Sequence, residues 1–201
     1  MIESQREILM KRASEYLSIG ITEGGQPRSV VPVPWEATVH AFNMRTPTVY
    51  LAPEDLTDAQ IMDLVRSYRV IGCYIWAPLE DYSFLSLLKD LQDLNIMEGE
   101  KVQDLCFLEE LENCGMFCLQ NATLKNIDPI LRAKTQPGVP SLRLRCVGLD
   151  NCRIEDVSAF ENADVQFSEF LVWNPEDRDE RARWAMIKAR TKKCYTFRQR
   201  G

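Results

Sequence analysis

The stretch LDNCRIEDVSAF, Leu149 to Phe160, places apolar residues at Ile154, Val157 and Phe160, three apart, after an amide at Asn151. A strand alternates every two residues, and a helix does not favour Asn and Cys at such positions. Spacing by threes points instead to one turn of a coil that repeats, and the phrase does recur. Four gapless fifteen-residue copies align: Ile71–Leu85, Leu94–Leu108, Met116–Ile130 and Cys146–Phe160, with starts 23, 22 and 30 residues apart. Position one reads Ile, Leu, Met, Cys. Position nine reads Leu, Val, Leu, Ile; position twelve Tyr, Leu, Ile, Val; position fifteen Leu, Leu, Ile, Phe. Only 45% of the chain is hydrophobic, so four apolar columns without an exception are a strong constraint on the fold.

Each copy predicts a short strand whose positions one and three point inward. The chain then bends at position six, where Asn121 and Asn151 bond the backbone of the turn. Such asparagines stack into a ladder between neighbouring coils and satisfy carbonyls that face inward. Trp76 and Gly99 stand at position six in the first two copies, so the ladder is expected to break there. Positions nine, twelve and fifteen fill the interior on the return path. At position eleven, Asp81, Asp104, Asn126 and Asp156 suit the cap of a helix or 3-10 turn that climbs back along the outside.

This pattern resembles the leucine-rich repeat family, in its short, irregular, bacterial form with an Asn/Cys-x-x-Ile-x-Asp phrase. The resemblance covers about half the chain, from Val70 to Trp173. It implies an α/β fold: a right-handed solenoid with a parallel concave sheet, short helices or 3-10 turns on the convex side, and capping helices at both ends. It also implies a scaffold whose repeat surface engages another protein. The thirty-residue third repeat departs from the usual length, and its surplus lies in AKTQPGVPSL, whose prolines and glycine predict a surface loop.

The flanks follow from capping and periodicity. Ser4 and Glu7 form a capping box, and Leu9, Ala13, Tyr16 and Leu17 share one helical face. The expected helix runs from Gln5 to Ile19, with Gly20 to stop it, and an irregular stretch follows to residue 48. Residues 49–69 read as a cap or degenerate repeat, with TVYLA as a strand and a helix opened by Thr57 and Gln60. Residues 70–173 form the solenoid, with a last strand at Phe170–Trp173. In 174–201, NPED starts a capping helix that runs to about Arg190, and a basic tail follows.

Formal net charge is −6, unevenly spread: Arg181–Gly201 holds eight Lys or Arg and no acid, leaving −14 on the other 180 residues. The basic tail allows a nucleic-acid reading, but positive charge on an acidic body steers poorly towards phosphate. Nucleic acid is therefore the alternative, and a purely structural scaffold is another. No apolar run is long enough to span a membrane. The opening MIESQREILMKRASEYL lacks the apolar block of a secretory signal. Seven cysteines without a Cys-x-x-Cys pair read as reduced core thiols of a cytoplasmic protein.

The expected interaction surface is the concave face of the sheet. One outward column is Gly72, Asn95, Phe117, Val147 and Leu171; the next is Tyr74, Met97, Leu119, Leu149 and Trp173. The second is apolar throughout. Either the N-terminal segment covers it, or a partner docks there with Tyr74 and Trp173 as anchors. Arg143 and Arg145 share the face with Val147 and Leu149 and suit an acidic partner, unless they are merely solvated. No catalysis, cofactor or metal is expected. The single histidine, His40, reads as a surface or satisfied residue rather than a base. Cys106, Cys114 and Cys118 lack zinc spacing, and EGGQPRS lacks the lysine and helix of a phosphate loop.

Overall fold

The computed structural model describes residues 16–25, 48–135, 137–138, 143–163, 165–173 and 194–197. They form an α/β structure around a parallel sheet. The strands are β1 (Tyr16–Thr22), β2 (Thr48–Leu51), β3 (Arg69–Trp76), β4 (Asp93–Ile96), β5 (Met116–Gln120), β7 (Cys146–Asp150), β9 (Glu169–Trp173) and β10 (Cys194–Phe197). Their order is β10-β9-β7-β5-β4-β3-β1-β2. Two short strands, β6 (Thr123–Asn126) and β8 (Arg153–Asp156), pair in a second parallel sheet. Helices α1 (Asp58–Ser67), α2 (Asp128–Thr135) and α3 (Ser158–Asn162) and 3-10 turns at Ser83–Leu87 and Cys106–Glu110 supply the outer layer. No helix among the described residues is long and apolar enough to cross a membrane.

The return paths follow the predicted spacing. Leu79, Val102, Leu124 and Ile154 are buried, as are Tyr82, Leu105, Ile127 and Val157, and Leu85, Leu108, Ile130 and Phe160. All twelve belong to one core. Position eleven makes the same bond each time. Asp81, Asp104 and Asp156 each accept from the backbone N–H two residues on at 2.8 Å, and Asn126 does so at 3.2 Å. The carboxylate or amide thereby satisfies a donor that the incipient helical turn leaves open. Asn121 and Asn151 adopt left-handed backbones, φ 57° and 49°, which Asn tolerates better than most residues. Asn151 Nδ2 donates to Asn121 Oδ1 at 2.9 Å, and Asn121 Nδ2 donates to the Met97 carbonyl at 3.3 Å.

Three expectations are corrected. First, Tyr16–Ile19 is not the last turn of a helix. It begins β1, an inner strand lying parallel to both β2 and β3. Leu17, Ile19 and Ile21 alternate into the core, so pairing on both sides overrides the helical spacing of Tyr16 and Leu17. Gly20 does not stop a helix: the Tyr50 ring lies where a Cβ would be, with Cδ1 at 2.6 Å. The rest of that expected helix, and His40, lie outside the described residues. Second, part of the basic tail is structured, because Cys194–Phe197 adds a strand beside β9. The capping helix expected from Asn174 lies outside the described residues.

The third correction is one of phase. The observed register aligns Cys73, Leu94, Phe117 and Val147, and then Ile75, Ile96, Leu119 and Leu149. All eight are core residues with at most 1% exposure. Phe117, Leu119, Val147 and Leu149 therefore do not face outward. A one-residue slip in β5 and β7 moves every side chain to the opposite face.

Candidate functional site

The second face of the main sheet carries the alternate residues. β3 contributes Gly72, Tyr74 and Trp76; β4 contributes Asp93 and Asn95; β5 contributes Met116, Cys118 and Gln120; β7 contributes Cys146, Gly148 and Asp150. Leu119 and Leu149 of the apolar stripe predicted for this face are thus in the core, and the face itself is mixed: aromatic towards β3, with carboxylates at Asp93, Asp150 and Glu169.

The aromatic part lies flat because glycines beneath it leave room. The Tyr50 ring covers Gly20, and Trp76 Cζ3 lies 3.3 Å from the position a Gly20 Cβ would take. Tyr74 leans over Gly72 in the same way, with Cε2 at 3.1 Å from the corresponding point. Tyr74 and Trp76 stack with centroids 5.8 Å apart and an interplanar angle of 18°. Tyr50, at 39% exposure, is among the most exposed large apolar side chains described.

Next to this aromatic run sits Asp93, only 9% exposed. Its Oδ2 accepts from the Tyr74 hydroxyl at 3.2 Å, and its Oδ1 accepts from Asn95 Nδ2 at 2.8 Å. Burial pushes the Asp93 carboxyl up to about 6, although both hydrogen bonds hold it down. Burial raises the Tyr74 phenol above its ordinary value, and the Asp93 charge adds to the effect. The Cys118 and Cys146 thiols are also raised, chiefly by burial. They stay protonated at neutral pH and are weak nucleophiles. Asp150 is raised by burial, opposed by a hydrogen bond from the Asn151 N–H. Among the described residues, no three His, Cys, Asp or Glu side chains are grouped to hold a metal ion.

Of the residues expected at the site, Tyr74 is on this face but buried, and Leu171 of β9 is 5% exposed. Met97 follows β4 and is half-buried, with its N–H donating to the Ile75 carbonyl. Trp173 ends β9, but its side chain lies outside the described part. Arg145 is exposed just before β7. Arg143 is not a surface charge. It is 1% exposed, and its guanidinium donates to the Leu108 and Glu109 carbonyls at 2.7 and 2.6 Å, closing the end of the 3-10 turn. Sequence reasoning missed Asp93, Trp76, Gln120 and Asp150. The size alternation in MFCLQ and CVGLD, large at Phe117, Leu119, Val147 and Leu149, was the signal that separates the faces.

No family model matches the chain, and neither a curated protein nor a solved structure matches it.

Proposed function

We propose that this protein is a non-catalytic interaction module that docks a partner protein on the outward face of its main sheet. In this reading the segments from β3 to β9 are coils of a short, right-handed, leucine-rich-repeat-like solenoid. The Asn121–Asn151 ladder and the four matching turn caps support that architecture. The observation that carries the function is Asp93, a buried carboxylate placed beside stacked aromatic rings on the face opposite the core. Burying such a group lowers stability, a cost that a binding surface explains better than a scaffold does. The carboxylates of the face disfavour the phosphates of a nucleic acid.

Affinity capture from extracts of the source cells tests the reading, with the full chain as bait. The comparison sets the native sequence against Trp76→Ala and Gln120→Arg on the face, and against Glu110→Ala on the exposed outer turn. A partner held by the native chain and by Glu110→Ala, but lost by both face variants with unchanged circular dichroism, is the expected result. A partner indifferent to the face variants, or no partner at all, overturns the proposal.

A further inference from the structure

We draw no further inference here: the strongest candidate, the aromatic patch that Tyr50 and Trp76 form over Gly20 on the outward face of β1, β2 and β3, is an apolar sheet face, and nothing in the structure shows what covers it.

Discussion

Asp93→Asn tests the account of the buried carboxylate without any partner. In the folded chain this carboxyl titrates at about 6, against an ordinary value of 3.8. Each pH unit corresponds to about 1.36 kcal/mol, so the ionised carboxylate costs the native state about 3 kcal/mol at neutral pH. The direction follows from proton binding. As pH falls through 6, the native state takes up a proton that the unfolded chain does not yet bind. Stability therefore rises until pH falls below 3.8, where both states are protonated. The amide variant is neutral throughout and keeps nearly the same shape. At pH 7.5 it should be more stable than the native sequence by about 2–3 kcal/mol, allowing about 1 kcal/mol for an amide that cannot accept from both donors. The gap should narrow between pH 7 and 4. Urea denaturation of both chains across that range measures it, and the contributions of all other carboxylates cancel in the difference. A variant less stable at pH 7.5, with a gap that does not change with pH, refutes the reasoning, because Asp93 would then be held by a charge or solvent the account leaves out.

Phe117→Ala should cost about 3–5 kcal/mol in the same denaturation assay, because Phe117 is fully buried, whereas Gln120→Ala on the other face should cost under about 1 kcal/mol. Equal costs would mean that the faces of β5 are misassigned. Asn151→Ala should destabilise by about 2 kcal/mol, since it loses the bond to Asn121 and puts alanine at φ 49°; Asn151→Gly, free of the backbone strain, should cost about 1 kcal/mol less, read as a difference in urea midpoint. Arg143→Met should lower stability by about 2–4 kcal/mol by leaving the Leu108 and Glu109 carbonyls without their donor, and thermal unfolding should show Arg143→Lys recovering part of the loss.

The return path was legible because each position there has one physical requirement. An acid or amide at position eleven is needed to accept from the turn, and the apolar columns at nine, twelve and fifteen have no alternative to the interior. The strands carry no such marker, and the gapless alignment assumed a constant step from strand to return path. That step varies: from Cys73 to Leu79 it is six residues, from Leu94 to Val102 eight, and from Phe117 to Leu124 or Val147 to Ile154 seven. Period-two side chains turn a one-residue error into a reversed face, which is how core residues of β5 and β7 came to stand for a surface. β1 was hidden for a different reason. Its neighbours begin at Thr48 and Arg69, on either side of it, and no local periodicity reports a strand inserted between two later ones. Asp93 stayed out of view although the phase of β4 was read correctly. A copy that starts at Leu94 excludes the residue before it, yet DLNI is already an alternation of acid, apolar, amide, apolar. With Leu94 and Ile96 turned into the core, Asp93 and Asn95 have to face the other way together. The acid on that face is then a consequence of the strand's phase.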